Sequence, residues 1–243
     1  AAESLRIAPC DLVISSSHCV VKSVHVPHGA THISYVHTPM RYVYEMFDDY
    51  FGKQRAGWPT RQAARVCAPL LRLWDTETSG RVDHYVANSV HVQGRIRRHY
   101  GRDSTVVHPP LAFKRFGARP RASREPWCLI VSALVPYKNV DLAVRVFSTL
   151  RLPLKVVGQG PELQRLQRIA GPSVELLGAL DDDAIAALYG TARAFLMPGE
   201  EDFGITPLEA QASGTPVLAL GRGGALETVR GLDRDARPTG AFF

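Results

Sequence analysis

The second half of the sequence alternates regularly between short apolar runs and helix-length segments, and this alternation restricts the fold more than any other feature. From Trp127 onward, each run of aliphatic residues is followed by a turn and then by a segment with helical spacing. Because parallel strands need helical crossovers, the pattern predicts a doubly wound parallel sheet of the α/β class. The predicted strands are Cys128–Val131, Leu154–Val157, Val174–Leu177, Ala194–Met197 and Val217–Leu220.

The first half shows the same kind of pattern with less regular elements. A helix is predicted from Thr60 or Arg61 through Trp74, and Ser89 is the expected N-cap of a later helix. The aromatic-rich segment 42–51 is predicted to be helical, with its rings on the core; a lipid or acceptor contact is the alternative. Gly52 to Pro59 is predicted to be a basic loop. Strands are predicted at 11–15, 32–36, 83–88 and 105–110.

An arginine-rich segment, 112–126, separates the two halves and contains two prolines and few apolar residues. This composition predicts a linker, with residues 1–111 and 127–243 as the two domains. A nucleic-acid-binding arm is the alternative. No nucleic-acid-binding motif surrounds the segment, so the sequence favours the linker and no nucleic-acid partner.

Composition limits the class of protein. A hydrophobic content of 45% and a charged content of 21% are typical of a soluble globular protein, and no apolar run has the length of a membrane span. The four cysteines form no CxxC pair, which argues against a zinc site or a disulfide framework and favours a reducing, cytoplasmic setting. The net charge of +6 indicates an anionic partner; phosphate, lipid head groups and nucleic acid stay open on charge alone.

The stretch 195–214 carries the strongest chemical signal. A buried strand breaks at Pro198-Gly199, an acidic loop follows, and a helix is predicted with Thr206 as N-cap, Pro207 at its first position and Gly214 as its stop. A helix N-terminus favours an anion, yet the loop contains Glu200, Glu201 and Asp202, which would repel one. Carboxylates beside an anion site are expected if they bind the hydroxyl groups of a sugar or a ribose.

A structural interpretation of these carboxylates is also open. Thr206-x-x-Glu209 has the spacing of a capping box, in which Glu209 would serve only the start of the helix. Glu201 and Asp202 could be solvated loop charges.

The segment Glu201-Asp-Phe-Gly-Ile-Thr-Pro-Leu-Glu209, with Ser213-Gly-Thr-Pro-Val217, resembles the Glu-x7-Glu region of retaining nucleotide-sugar glycosyltransferases of family 4. His37-Thr-Pro-Met-Arg-Tyr42 is similar to a signature of the mannosyltransferase-like members. The resemblance implies the GT-B architecture: two Rossmann-like domains with parallel sheets, an acceptor-side domain at 1–111 and a nucleotide-sugar-binding domain at 127–243. It also implies that the N-terminal domain is incomplete and that C-terminal helices are missing.

The resemblance implies roles for individual residues. Lys138 would bind the donor diphosphate, and Glu201 would contact the donor-sugar hydroxyls, while Glu209 would hold the ribose. His37 would face the sugar from the other domain. Further donor contacts are expected from the segment Phe203, Gly204 and Ile205.

One expected cation is missing from this pattern. Many members of the family carry a Gly-Arg pair before the lysine, and Ser132-Ala133 stands there in this chain. Arg222, together with Gly223 in a Gly-Arg-Gly-Gly loop, is the candidate substitute; an ordinary surface arginine is the alternative. Gly158-x-Gly160 is interpreted as a tight turn, because no full dinucleotide fingerprint follows it.

The resulting hypothesis is a retaining, metal-independent hexosyltransferase without a cofactor. Asp181-Asp-Asp183 matches a metal motif only as a string, since acidic residues are favoured where a helix starts. The resemblance suggests that mannose moves from GDP-mannose to a lipid-linked or polysaccharide acceptor, in polysaccharide biosynthesis, with peripheral contact at the inner membrane face. A non-catalytic sugar-nucleotide-binding module and a nucleotide-sugar epimerase are the alternatives.

Overall fold

The computed structural model describes residues 2–52, 56–116 and 124–243. The chain divides into two compact units, Ala1–His108 and Pro109–Phe243. Two sequence predictions fall partly outside the described residues, namely the middle of the basic loop (53–55) and of the arginine-rich segment (117–123).

The first unit contains a four-stranded parallel sheet in the order β1-β2-β3-β4. All four strands overlap the predicted ones, but β4 ends at Val106, whereas the sequence predicted a strand that continues to residue 110. The strands are β1 (Leu12–Ser17), β2 (Thr31–Val36), β3 (His84–Ala87) and β4 (Ser104–Val106). The helices are α1 (Arg41–Tyr44), α2 (Phe47–Phe51), α3 (Trp58–Thr78) and α4 (Val90–Tyr100).

Two helix predictions in this unit need correction and one is confirmed. The aromatic segment 42–51 forms two short helices, interrupted at Glu45, whose carboxylate binds side chains of α4. The helix α3 starts at Trp58, earlier than predicted, because Pro59 fits the first turn, where no backbone N–H donor is needed. Ser89 caps α4 as expected, since its Oγ accepts from the Val92 N–H at 3.0 Å.

The second unit contains a six-stranded parallel sheet in the order β10-β9-β8-β5-β6-β7. The alternation in the sequence predicted five of these strands, and β10 is additional. The strands are β5 (Cys128–Val131), β6 (Leu154–Val157), β7 (Val174–Gly178), β8 (Ala194–Met197), β9 (Val217–Ala219) and β10 (Gly240–Phe242). The helices are α5 (Phe113–Phe116), α6 (Val140–Leu150), α7 (Leu163–Ile169), α8 (Asp182–Thr191), α9 (Ile205–Ala212) and α10 (Ala225–Thr228).

The apolar strands of the second unit bury both of their faces. In β5, Leu129 belongs to one core cluster and the next residue, Ile130, to the other. Phe195 and Leu196 of β8 divide in the same way. A sheet covered on both faces explains why its strands read as continuous apolar runs rather than as alternating ones.

Part of the predicted linker belongs to the second unit. Residues Phe113–Phe116 form α5, and Phe116 is buried with its ring centroid 5.9 Å from that of Tyr189. The unit boundary accordingly falls after His108 rather than after Leu111. The high arginine content of the segment predicted a linker, although its residue Phe116 packs in the core of the second unit.

Candidate functional site

The loops that follow β5, β6, β8 and β9 gather at the carboxyl edge of the second sheet, because these four strands are parallel neighbours. In open α/β sheets this edge is where ligands bind. Lys138 lies on the loop after β5, Glu201 on the loop after β8, and Arg222 on the loop after β9. The topology alone therefore brings three predicted site residues to one edge.

Lys138 and Glu201 form an ion pair between two of these loops. The Lys138 side chain is 13% exposed and that of Glu201 20%, so both charges are largely shielded from water. The Lys138 ammonium also lies 5.2 Å from the centroid of the Tyr137 ring. Coulombic interaction strengthens as the local dielectric falls, so this pair holds the two loops together.

Glycines allow the loops to approach each other closely. A Cβ on Gly199 would lie 2.6 Å from the Cα of Lys138, and a Cβ on Gly223 would lie 2.4 Å from the carbonyl oxygen of Glu201. Gly223 has a left-handed backbone (φ 62°) and bridges to Glu201, whose carbonyl accepts from the Gly224 N–H at 2.8 Å. Glycine at 199 and 223 thus fixes the position of both Lys138 and Glu201.

The helix α9 starts at Ile205, two residues before Pro207, the predicted first position. Gly204 is the N-cap with φ 88°, so Thr206 is not the cap and Pro207 is the third helical residue. A glycine in this left-handed conformation turns the chain directly into the helix, and a Cβ there would come within 3.1 Å of Pro207. In the described part of the chain no side chain caps the helix, and this leaves its first N–H groups available to an anion. Gly214 follows the end of the helix with φ 80°, as predicted.

The other two residues of this predicted segment differ in exposure. Phe203 is buried, whereas Ile205, the first residue of α9, is 42% exposed at the edge of the site. Ile205 can present both its backbone N–H and its side chain to a ligand.

Glu209 does not form the predicted capping box. Its Oε2 accepts a hydrogen bond from the Tyr189 hydroxyl at 3.0 Å, across to α8. Burial raises the pKa of Glu209, while the Tyr189 hydrogen bond opposes that rise. The capping-box spacing was therefore coincidental, and the carboxylate has a tertiary partner.

The candidate substitute for the missing cation, Arg222, is exposed. Its guanidinium forms no hydrogen bond or ion pair with any residue in the described ranges.

At the place of the missing Gly-Arg pair, Ser132 Oγ donates to the Ala133 carbonyl at 3.1 Å. Gly158 and Gly160 pack against this loop, since a Cβ on either would overlap the carbonyl oxygen of Ser132 or Leu134. The interpretation of these two glycines as a close turn fits this geometry.

His37 lies in the first unit, at the carboxyl end of β2. Its Nε2 lies 3.0 Å from Ser16 Oγ, and its ring contacts Tyr35 edge-on at 5.4 Å. Burial lowers the pKa of His37, and the neighbouring His18 lowers it further. The imidazole is therefore favoured in its neutral form.

Sequence reasoning missed the support behind His37. Arg95 of α4 is buried, donates from Nη1 to Thr38 Oγ1 at 2.9 Å, and forms an ion pair with Glu45. Glu45 also binds Arg98 and His99, each at 3.0 Å. Thr38 and Arg95 are 57 positions apart, so no local pattern could have joined them.

The acidic triplet 181–183 serves the start of α8. Asp181 is the N-cap and accepts from the Ala184 N–H at 2.8 Å, and Asp182 pairs with Arg115. Among the residues that the structure describes, no group of His, Cys, Asp or Glu side chains is arranged to hold a metal ion. Metal independence stays a prediction.

Comparison with known proteins identifies related sequences. Residues 114–241 match the family described as Glycosyl transferases group 1. The chain is 33% identical, over 149 residues, to a GDP-mannose-dependent alpha-(1-6)-phosphatidylinositol monomannoside mannosyltransferase of Mycobacterium tuberculosis; the match covers 54% of this chain and 39% of that enzyme. It is 31% identical, over 206 residues, to a D-inositol 3-phosphate glycosyltransferase of Streptomyces bingchenggensis, covering 69% of this chain and 43% of the relative. The chain therefore spans less than half the length of these two relatives.

Solved structures share the fold. Sucrose-phosphate synthase from Thermosynechococcus elongatus superposes with a TM-score of 0.65 at 21% identity, covering 88% of this chain and 54% of the synthase. Anabaena HepE in complex with UDP and glucose also gives a TM-score of 0.65, at 17% identity, with 88% and 58% covered. Within the described parts of the chain, no helix combines the length and hydrophobicity that a membrane crossing requires.

Proposed function

This chain belongs to the group 1 glycosyl transferases and has the GT-B fold, and from that premise we propose that it transfers a hexose from a nucleotide-diphosphate sugar. We further propose mannose from GDP-mannose as the donor sugar, because the mycobacterial relative is described as GDP-mannose-dependent. The acceptor in this proposal is a lipid-linked or polysaccharide precursor, at the cytoplasmic side of a membrane.

The observation that carries the proposal is the Lys138–Glu201 pair beside the uncapped start of α9. As the bond to the sugar breaks, negative charge grows on the diphosphate, and preorganised cations and N–H groups stabilise it. Lys138 supplies the cation, the first N–H groups of α9 supply donors, and exposed Arg222 supplies a second cation. Glu201 accepts hydrogen bonds from the sugar hydroxyls.

A donor panel tests the reaction directly. GDP-mannose, GDP-glucose, UDP-glucose and UDP-N-acetylglucosamine are each incubated with the chain, and release of nucleotide diphosphate is followed. We expect turnover to be fastest with GDP-mannose. Absent turnover, or equal turnover with the UDP-sugars, would contradict the donor assignment.

The same panel separates the alternatives. Nucleotide binding by calorimetry without any product would indicate a binding module, and an isomerised nucleotide sugar formed without acceptor would indicate an epimerase. The anomeric configuration of the product, read by NMR, tests retention. Unchanged turnover after treatment with EDTA is expected for metal-independent transfer.

Substitution of Glu201 tests its role. Glu201→Gln removes the charge that strengthens hydrogen bonds to the sugar and should lower turnover by roughly tenfold or more, because charge-assisted hydrogen bonds are about twice as strong as neutral ones. Affinity for free GDP should not fall, since free GDP has no sugar. Glu175→Gln, at an exposed position of β7, is the matched control. An equal loss of GDP affinity and turnover in Glu201→Gln would refute this role.

We propose that the outer face of α3 provides the membrane contact. This face carries large apolar side chains that are more than half exposed, and arginines border it, which suits an anionic bilayer. The apolar residues are Trp58, Val66, Leu70 and Leu73, and the bordering arginines are Arg61 and Arg65.

Vesicle binding tests this contact. Co-sedimentation with vesicles containing phosphatidylglycerol should exceed that with phosphatidylcholine alone, and Leu70→Glu should abolish the difference. Leu150→Glu, at an exposed position of α6 in the second unit, is the control. Equal binding to both vesicle types by the unmodified chain would contradict the proposal.

A further inference from the structure

The hydroxyl of Tyr189 is held rigidly against the carboxylate of Glu209. Tyr189 is fully buried on α8, with its ring edge-on to Phe116 at 5.9 Å and tilted against Phe195 at 5.5 Å. Its hydroxyl donates to Glu209 Oε2 at 3.0 Å. Because aromatic neighbours from α5 and β8 confine the ring, the donor cannot move away from the carboxylate.

One carboxylate oxygen of Glu209, Oε2, accepts a side-chain hydrogen bond in the described parts of the chain, and the other carboxylate oxygen accepts none there. Within the described parts of the chain, Tyr189 is the single side-chain hydrogen-bond partner of Glu209. Two charged groups affect the pKa of Glu209 at longer range: Asp182, the first residue of α8, raises it, and Arg115 lowers it. Arg115 forms an ion pair with Asp182. Glu209 is the fifth residue of α9, roughly 6 Å along the helix from its first residue, and α9 begins at the edge of the sheet where the loops gather.

The geometry points to Tyr189 as a positioning residue for nucleotide recognition: it fixes one oxygen of Glu209 so that the other can accept hydrogen bonds from the ribose hydroxyls of the donor. This inference rests on the proposed function, in which Glu209 holds the ribose. A carboxylate can accept from two neighbouring hydroxyls, and a fixed orientation reduces the entropy lost on binding.

The protonation states agree with this arrangement. Burial raises the pKa of Tyr189, so the hydroxyl keeps its proton and remains a donor. Its hydrogen bond opposes the burial that raises the pKa of Glu209, and so favours the charged carboxylate. An ionised Glu209 is the stronger acceptor for a ribose hydroxyl.

The test compares GDP with 2′,3′-dideoxy-GDP, which lacks the ribose hydroxyls; UDP and its dideoxy analogue replace them if UDP binds the unmodified chain more tightly. Calorimetry gives Kd for the unmodified chain, Tyr189→Phe and Glu209→Gln. Tyr85→Phe is the control, because it removes a buried tyrosine hydroxyl that donates to a backbone carbonyl in the first unit. Tyr189→Phe keeps the aromatic ring and its packing, and melting temperature verifies that each variant is folded.

We expect Tyr189→Phe to weaken GDP binding by roughly twofold to twelvefold, the equivalent of one net hydrogen bond, with no change for the dideoxy nucleotide. Tyr85→Phe should change neither. Equal weakening of both nucleotides by Tyr189→Phe, or no weakening of either, would overturn the inference.

Glu209→Gln separates failure of the inference from failure of the proposed function. If Glu209→Gln loses the preference for GDP over the dideoxy form while Tyr189→Phe keeps it, only the role of Tyr189 is wrong. If Glu209→Gln keeps the full preference, or the unmodified chain binds neither nucleotide, the assigned ribose site is wrong and the inference falls with it.

Discussion

Gly223→Ala should damage catalysis far more than it damages the fold. Gly223 has a left-handed backbone (φ 62°), and an added Cβ would lie 2.4 Å from the carbonyl oxygen of Glu201. Carbon and oxygen atoms in close contact normally lie about 3.3 Å apart. The loop that carries Glu201 must therefore move by roughly 1 Å to accept the methyl group.

Two costs are expected, and they affect different measurements. The left-handed conformation costs an alanine about 1–2 kcal/mol, which lowers the melting temperature by a few degrees. In the proposed function Glu201 contacts the donor sugar, so its displacement by roughly 1 Å misplaces that contact, and a shift of that size can lower turnover by about 100-fold. The predicted signature is a small loss of stability with a large loss of turnover.

Gly178→Ala is the matched control. Gly178 lies in the same unit with a similar backbone (φ 72°), yet a Cβ there would meet no atom within 4 Å. The two variants share the backbone strain and differ in the collision. Turnover with the preferred donor and melting temperature are measured for both. If Gly223→Ala turns over as fast as Gly178→Ala, the contact with Glu201 does not position the site and the reasoning fails.

Three further outcomes are expected. Lys22→Met leaves the buried Asp75 without its ion-pair partner (3.0 Å) and should lower the free energy of unfolding by about 3–5 kcal/mol, measured by thermal unfolding. The double variant Lys22→Met/Asp75→Leu should regain part of this stability. A smaller loss of stability in the single variant would contradict the prediction. The hydrogen bond from His99 holds the pKa of Glu45 at about 2, below its ordinary 4.5. The stability that this contributes is therefore present above pH 4.5 and should be lost as the pH drops toward 2. Melting curves of Glu45→Gln should lack this dependence of stability on pH. His37→Gln should lower turnover with little change in melting temperature, and unchanged turnover would refute its role.

The sheet of the second unit could be predicted from the sequence because its central strands β5 and β8 are buried on both faces and appear as uninterrupted apolar runs. The exception is β10, whose residues Gly240–Phe242 are too few for a periodic signal. Its place depends instead on close packing: a Cβ on Gly240 would lie 2.1 Å from the Val217 carbonyl oxygen. No pattern within three residues can reveal such a contact.

The sequence predicted which segment of the chain carries the candidate site, but it did not predict the contacts that the residues of this segment make. Thr206-x-x-Glu209 has the capping-box spacing, but the backbone of Gly204 starts the helix earlier and Glu209 pairs with Tyr189, 20 positions away. Local spacing predicts local partners, and the decisive partner here is tertiary. The loops after β5 and β8 could be assigned to one edge by topology, whereas the direct Lys138–Glu201 pair needed the structure.

The charges of the site suggest how diphosphate binding and sugar binding depend on each other. Without a donor, Glu201 neutralises Lys138, and exposed Arg222 is a cation that can still attract an anion. In the proposed mechanism a diphosphate that reaches Lys138 competes with Glu201 for the same ammonium, because the two anions need the same N–H donors. A Glu201 carboxylate released in this way can accept hydrogen bonds from the sugar. Its acceptor capacity then becomes available only when the nucleotide part of the donor is bound, which favours the complete nucleotide sugar over a free sugar.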